Sequence, residues 1–375
     1  MTVDSPYPEM KKGHTMARVG RPWRDRKPPP SGPVWAIVQG FGSYWTLVAA
    51  IELGVFDAIA LLGPTSAGPL ADHMSVSARH LQHVCDALVT FGFLDQVDDV
   101  YELTETAERY LCTDGPASMA ALVRVAPGPL ANWEQLVDTV RTGHVAQPID
   151  DDPAAFYRPL VQATFPTQLR AASRLGLRLG WSRRPDLRVL DLGAGRAPWA
   201  IAILEQSPGS TAVVNDLPGV IELAVRTVDD RGLAHRVEFQ PGDFHHIELE
   251  PGSFDVVVLG HVCRTEGHAR ARALVARAFQ ALKPEGQLLL ADYFADNGRK
   301  HNPFGVQMGL TMVANTERGE TLTNAQVCRW LDEAGFHAIR LLEPIGFNQV
   351  YVAARPAARP ASGPHGRPME DRHDR

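Results

Sequence analysis

The apolar positions of this chain change period along its length, and the change separates two kinds of structure. From residue 34 to 62 they recur at helical spacing: Ile37, Phe41, Trp45, Val48 and Ile51, then Leu53, Phe56 and Ile59. A stretch this apolar has to pack on something large. Gln39, Glu52, Asp57 and several glycines interrupt it, so it reads as buried helices rather than a membrane span. Residues 68–94 then read as helix, turn, helix, with Ser75 to Ser77 leading into a second helix over 78–91. Gly92 opens a wing, residues 100–103 are its return strand, and Thr104 caps a helix through Leu111. The pattern is that of a winged helix. A long helical segment is expected over 152–181, where Phe156 and Tyr157 either line a pocket or fill the core.

Beyond residue 188 short apolar runs alternate with helical patterns. Strands are expected at 189–192, 211–214, 237–239, 254–259, 287–292 and 347–353. Helices are expected at 199–205, 220–230, 269–282 and 328–336, the last ended by Gly335, and another carries Met308, Met312 and Asn315. Such alternation predicts a parallel α/β sheet. Its first strand ends in Asp191-Leu-Gly-Ala-Gly195, where glycines allow a sharp turn and a close ligand approach. The second ends in Asn215-Asp216, which places an acid where ribose hydroxyls would sit. Pro198 stands where a dinucleotide fingerprint asks for a third glycine, so the ligand needs the turn and the acid rather than a pyrophosphate site.

Composition narrows the picture. The 375 residues suit two domains, and 45% hydrophobic content is ordinary for a globular protein. A net charge of −6 argues against bulk nucleic-acid binding, and the helix over 78–91 offers only Arg79 and three histidines against Asp86. The four cysteines stand alone, which fits a reducing cytoplasm and no zinc site. His245-His246 are adjacent on a loop with no supporting carboxylate spacing, so no metal is expected. The first residues lack an apolar core of signal-peptide type. Proline-rich, charged ends at 1–33 and 356–375 read as a disordered arm and tail.

The turn with Asp191, Gly193 and Gly195, together with Asp216, resembles motif I and its partner acid in class I S-adenosylmethionine (SAM) methyltransferases. The segments AIELGVFDAIA, LQHVCDALVTFGFLD and YELTETAERYL resemble the N-terminal dimerisation domain of small-molecule O-methyltransferases, and LKPEGQLLLAD is a signature of the same family. The resemblance runs from about residue 35 to 353. It implies an α/β Rossmann-like SAM methyltransferase domain at 181–355, preceded by a mostly helical winged-helix dimerisation domain at 34–112 and a helical linker at 113–180. It also implies a homodimer, and a winged helix that serves packing rather than DNA. Asp191, Gly193, Gly195, Asp216 and Leu217 would hold SAM, Asp243 would meet the adenine amino group and Phe244 would flank the ring. Met308, Met312 and Asn315 lie on the helix that covers the substrate in the family.

The resemblance breaks at one residue. Plant-type members place a catalytic histidine in a C-H-D-W pattern, whereas here the aligned residues are Cys263-Arg264-Thr265-Glu266. Arginine stays protonated and cannot accept a proton. Asp292 and Glu320 match the two supporting carboxylates. His261, at a strand end, is the substitute base to examine, with His268 near it; the alternative is a satisfied structural histidine. Arg264 then anchors either a substrate carboxylate or the pair Asp292 and Glu320. The expected activity is SAM-dependent methylation of a small, aromatic specialised metabolite, with O-transfer the family default. The alternatives are a carbon or nitrogen acceptor, or a member that binds SAM without transferring its methyl.

Overall fold

The structure, a computed structural model, describes residues 30–357. The expected arm and tail lie almost wholly outside the described residues. Residues 32 and 33 belong instead to a helix, because Pro33 in a first turn gives up an N–H that has no partner there anyway.

The first unit comprises α1 (Gly32–Leu53), α2 (Val55–Leu62), β1 (Thr65–Ser66), α3 (Ala67–Met74), α4 (Ala78–Thr90), β2 (Leu94–Val97), β3 (Val100–Leu103) and α5 (Glu105–Tyr110). Gly54, at φ 74°, separates α1 from α2. The three strands pair in the order β1-β3-β2, and Phe56, Ile59, Leu70, Leu81, Leu88, Leu94 and Tyr101 fill the space beneath them. Tyr101 is buried in this core, and its hydroxyl donates to Asp86 at 2.6 Å. The Thr104 hydroxyl accepts from the Ala107 N–H, as its capping position requires.

One expectation fails within a single chain. α1 is not buried: Trp35 is 59% exposed, Ile37 80% and Phe41 73%. Its packing, through Leu47, Ala50 and Ile51, is confined to its C-terminal end. By length and composition α1 also meets the requirement for crossing a membrane.

Four helices lead to the sheet: α6 (Ala120–Val125), α7 (Leu130–Glu134), α8 (Leu136–Thr142) and α9 (Pro153–Leu179). Asp152 caps α9 by accepting from the Ala155 N–H at 3.1 Å. Then follow β4 (Arg188–Leu192), α10 (Pro198–Gln206), β5 (Thr211–Asp216), α11 (Pro218–Asp230), β6 (Val237–Pro241), β7 (Phe254–Gly260), α12 (Cys263–Ala281), β8 (Leu282–Asp292), α13 (Pro303–Asn315), α14 (Asn324–Ala334), β9 (His337–Leu341) and β10 (Gln349–Ala354). The seven strands run in the order β6-β5-β4-β7-β8-β10-β9, parallel except for β10. The chain steps one way from β4 through β6, then returns to β7 on the other side of β4. That reversal opens a crevice at the carboxyl ends of β4 and β7, where α/β folds bind ligands.

Several elements differ from the sequence reading: β9 is not among the expected strands, the helix expected at 328–336 begins at Asn324, the strand expected from 347 begins at Gln349, and two further differences bear on the site. The strand expected from residue 287 begins at Leu282, and pairing with β7 jumps from Phe254–Leu282 to Val256–Gln287, which loops out the expected Pro284-Glu-Gly286 turn. The helix expected from residue 269 begins at Cys263, but Gly267 breaks it with φ 68° and ψ 172°. A Cβ at Gly267 would lie 2.3 Å from the Arg318 carbonyl oxygen, so glycine is required by space as well as by dihedral.

Candidate active site

The crevice begins with the turn after β4. Gly193 and Gly195 take φ 65° and 60°. A Cβ on Gly193 would fall 2.5 Å from Val262 Cγ1, and one on Gly195 2.9 Å from Val161 Cγ1. Asp191 is fully buried beneath the turn, where one carboxylate oxygen accepts from the Ala200 N–H at 3.1 Å and pins the start of α10. Burial pushes its carboxyl up to about 7, opposed by that N–H and aided by the nearby Asp216 charge. At the end of β5, Asp216 accepts from the Gly195 N–H at 2.6 Å and from the Leu217 N–H at 2.7 Å. Burial raises it to about 6 against those two N–H groups. Asn215 beside it donates to the Gln240 and Gly242 carbonyls and so sets the next loop against β5.

That loop carries Asp243 and Phe244. Phe244 comes within 3.3 Å of the position a Gly193 Cβ would take, which puts its ring on the glycine turn. Asp243 accepts from the His245 N–H at 2.8 Å and pairs with His246 Nδ1 at 2.9 Å. Burial works to raise its carboxyl, but the His245 N–H and the two histidine charges outweigh it and hold it low. His245 turns the other way, its Nε2 2.7 Å from Glu266 Oε2, and Arg270 Nε donates to the same oxygen at 2.6 Å. The sequence reading treated Glu266 only as part of a departed motif; its clasp on the Asp243 loop was missed, since nothing in the spacing announces a contact twenty-one residues away.

Across the crevice, Arg264 and Asp292 meet. Arg264 Nη1 donates to Asp292 Oδ1 at 2.7 Å and to the His261 carbonyl at 3.0 Å. The Arg264 and Tyr293 N–H groups also donate to the Asp292 carboxylate, at 3.2 and 2.9 Å. The guanidinium lies 5.1 Å from the Tyr293 ring centroid. Burial would raise Asp292, yet the Arg264 charge holds it well below the usual carboxylate range. His261 is left-handed, at φ 65°, a conformation rare for residues with a Cβ. Neither ring nitrogen has a hydrogen-bond partner, and Nδ1 is 3.8 Å from Asp292 Oδ1. Burial lowers its pKa below the ordinary 6.5 despite the Asp292 charge, so the ring is neutral at pH 7. Tyr157 of α9 faces Thr265 and Arg264, and burial pushes its hydroxyl up to about 12. Phe156 packs edge-on against it.

Other predicted residues are not brought to this point. Glu320 does not pair with Arg264: its carboxylate accepts from the His268 N–H at 2.6 Å, capping the helix that restarts after Gly267, while its own N–H donates to the Arg264 carbonyl. Asn315 is spent in a buried network, accepting from Asn132 at 3.0 Å and donating to the Thr311 and Pro127 carbonyls. It ties α13 to the segment around α7 and leaves no polar atom for a substrate. Met312 is buried, whereas Met308 is half-buried.

Comparison with known proteins decides the family. A model described as the O-methyltransferase domain matches residues 185–337, and one described as the O-methyltransferase dimerisation domain matches residues 35–113. The chain belongs to this O-methyltransferase family. It is a SAM-dependent methyltransferase. Among its relatives, the tetracenomycin polyketide synthesis 8-O-methyl transferase TcmO of Streptomyces glaucescens is 27% identical over 334 residues, covering 87% of this chain and 97% of that one. The 3-hydroxy-5-methyl-1-naphthoate 3-O-methyltransferase of Streptomyces sahachiroi is 27% identical over 315 residues, covering 81% and 89%. The crystal structure of human N-acetylserotonin methyltransferase in complex with SAM shares the fold, with a TM-score of 0.75 at 22% identity over 89% of this chain and 99% of that one.

In this methyltransferase the two glycines form the tight turn beside Asp216, and the carboxylate keeps lone pairs beyond the two N–H groups it accepts. The cradle fits the cofactor. The acceptor side depends on the Arg264–Asp292 pair. Replacing Asp292 by Asn leaves a guanidinium buried without its counter-charge, and chemical denaturation should show a loss of about 3–5 kcal/mol. Because the folded carboxyl is depressed, its contribution is present above the unfolded value near ~4 and is lost only as pH falls through the lower folded value. The gap between wild type and Asp292→Asn should therefore stay flat across neutral pH and close only in strong acid.

Proposed function

We propose that this enzyme methylates a hydroxyl group on a small, neutral aromatic metabolite, with His261 as the general base. The observation that carries the reading is a neutral imidazole with both nitrogens free, standing beside a carboxylate whose charge is already matched by Arg264. The relatives named for polyketide and naphthoate O-methylation support an aromatic hydroxyl as acceptor, while its neutrality rests on Asp292 matching the Arg264 charge. SAM, when bound, supplies a methyl group on a positively charged sulfur. The chain's own part is to bind, orient and take a proton. Asp216 accepts the ribose hydroxyls, Asp243 the adenine amino group, and Phe244 covers the ring. Gly193 and Gly195 make the tight turn that brings the main chain to the ligand, and the Leu217 and Gly195 N–H groups fix the Asp216 carboxylate. The acceptor O–H gives its proton to His261 as its oxygen takes the methyl. Asp292, 3.8 Å away, stabilises the imidazolium. Alignment of the partners supplies up to roughly 7–11 kcal/mol of the barrier reduction. Because Asp292 takes its charge, Arg264 serves as a structural cation and not as an anchor for a substrate acid.

We also assign residues 34–112 to dimerisation, 113–180 to the linker and 181–355 to catalysis. The exposed apolar face of α1 supports a homodimer, since one chain leaves Trp35, Ile37 and Phe41 in water. That covering also accounts for the apolar length of α1 without a membrane, and a cytoplasmic location agrees with the unpaired cysteines.

Calorimetry on Asp216→Ala should show SAM affinity reduced by about 1.5–3 kcal/mol for each charge-assisted bond lost; unchanged affinity would remove Asp216 from the cofactor site. For the base, kcat/KM should rise with pH along a single limb centred below 6.5 and level off near neutrality, because only the neutral ring accepts a proton. His261→Asn should abolish that limb and cost on the order of 10²–10⁴ in rate. A limb that persists in His261→Asn places the base elsewhere. Light scattering on the full chain should give twice the 41.0 kDa chain mass, and Phe41→Glu should shift it toward one; a stable wild-type monomer contradicts the dimer.

A further inference from the structure

We infer that the acceptor site reads a second oxygen on the aromatic ring, vicinal or peri to the one that is methylated, and that Asn348 and Gln168 do the reading. The inference rests on the assignment of the acceptor site to the crevice around His261. It goes beyond that assignment by naming the class of acceptor: a neutral aromatic diol rather than a simple phenol or an aryl acid.

The observation is a set of buried polar atoms without partners, contributed by three separate elements. Gln168 on α9 is 7% exposed with Oε1 unpaired, and Asn348, just before β10, is 7% exposed with Oδ1 unpaired. His261, at the end of β7, adds two free ring nitrogens. The three are contiguous. Gln168 Nε2 is 3.3 Å from the Tyr293 hydroxyl, the Tyr293 ring centroid is 4.7 Å from that of His261, and the Asn348 amide oxygen lies close enough to the His261 ring to interact with it while falling short of a well-formed hydrogen bond. Leaving so many buried polar groups unpaired is costly, so a partner is expected from outside the chain.

The chemistry of that partner follows from what is left over. Asn348 Nδ2 donates to the Ile345 carbonyl at 3.2 Å, and a carbonyl cannot donate in return, so the amide is oriented and its free atom is an acceptor. It needs a donor. The Gln168 amide spends one atom on the Tyr293 hydroxyl and has one left, whichever way it is turned. The Arg264 charge is matched by Asp292, so its one buried N–H without a partner, on Nε, is left to a neutral acceptor rather than a carboxylate. Tyr293 meets Phe304 edge-on at 5.0 Å, and Phe304 stacks on Phe347 at 4.3 Å, giving aromatic faces for a flat ring. One hydroxyl of the diol gives its proton to His261 as its C–O bond to the methyl forms and the S–C bond breaks. The other keeps its proton and donates it to Asn348 Oδ1, while the Gln168 amide, turned so that Oε1 accepts from the Tyr293 hydroxyl, donates from Nε2 to that second oxygen. The product is a monomethyl ether.

The test compares kcat/KM for 2,3-dihydroxynaphthalene with 2-naphthol, and for 1,8-dihydroxynaphthalene with 1-naphthol, using the full chain and SAM. The wild type should prefer the diol of at least one pair by about tenfold or more. Asn348→Leu should bring that preference to near unity, and Asn348→Ser, which keeps an acceptor oxygen, should retain part of it. Gln168→Leu repeats the test on a separate element should Asn348→Leu fail to fold. Affinity of each acceptor for enzyme loaded with S-adenosylhomocysteine is read in parallel. Diol-selective binding without turnover would overturn His261 as base and leave this inference standing. Equal affinities and equal rates in the wild type, or a preference that survives in both Leu variants, would overturn it.

Discussion

Asp292 and Arg264 are both out of water, and neither can be there without the other. The carboxylate is fully buried and the guanidinium is 11% exposed. Moving either charge alone into that interior costs several kcal/mol, and only their pairing with good geometry returns it. The pair also makes backbone contacts, although Arg264 Nε stays buried without a partner. One carboxylate accepts from the Arg264 and Tyr293 N–H groups, while the guanidinium reaches back to the His261 carbonyl. The ends of β7 and β8 and the start of α12 are thus set relative to one another by a single carboxylate. The left-handed His261 is held where it stands by contacts on its own carbonyl and N–H, the latter donating to Ala291 at 2.7 Å.

That constraint changes the electrostatics of the crevice in a definite direction. A histidine at position 264, as the family pattern implies, would share a proton between itself and the carboxylate and would titrate near neutrality. Arginine does not titrate there, so the charge at Asp292 is cancelled over the whole working range of pH. On the proposed reading the base role passes to a neighbour that the pair positions without protonating. His261 meets that condition: its ring is neutral because burial disfavours the charged form, yet a carboxylate lies near enough to receive the imidazolium once a proton arrives. The same cancellation makes the acceptor side electrically quiet, so that recognition there falls to neutral hydrogen bonds and aromatic faces.

The legible part of this chain was the part that repeats a local pattern. The turn from Asp191 to Gly195, the acid closing β5 and the alternation of strands and helices all follow from short-range spacing, and the sheet assembles as that spacing requires. So do the helix, wing and helix around α4, whose apolar positions face one core. What stayed hidden depends on contacts distant in sequence. Glu320 aligns with a family carboxylate, but the break at Gly267 offers it the His268 N–H, and an unpaired helix start wins the side chain. Asn315 sits at helical spacing from two methionines, yet Asn132 arrives from the other side of the chain and claims it. Glu266 and His245 are twenty-one residues apart, on elements whose approach only the folded sheet defines. The exposure of α1 was illegible for a different reason: its apolar face is complete in the sequence, but the surface that covers it is not part of one chain.

The first turn of α12 joins the two halves of the crevice. Arg264 points to the acceptor side and takes Asp292; Thr265 faces Tyr157 on α9; Glu266 reaches the cofactor side, where it binds His245 and Arg270. Three consecutive residues therefore touch three different walls, which a regular helix would project about a hundred degrees apart. The turn is short because Gly267 breaks the helix immediately afterwards, and Glu320, from the segment between α13 and α14, seals the break by accepting from the His268 N–H. A break there lets the turn be oriented by its own three contacts rather than by the long helix behind it. It follows that the loop holding Asp243 and Phe244 and the pair holding His261 are mechanically linked through only a few residues.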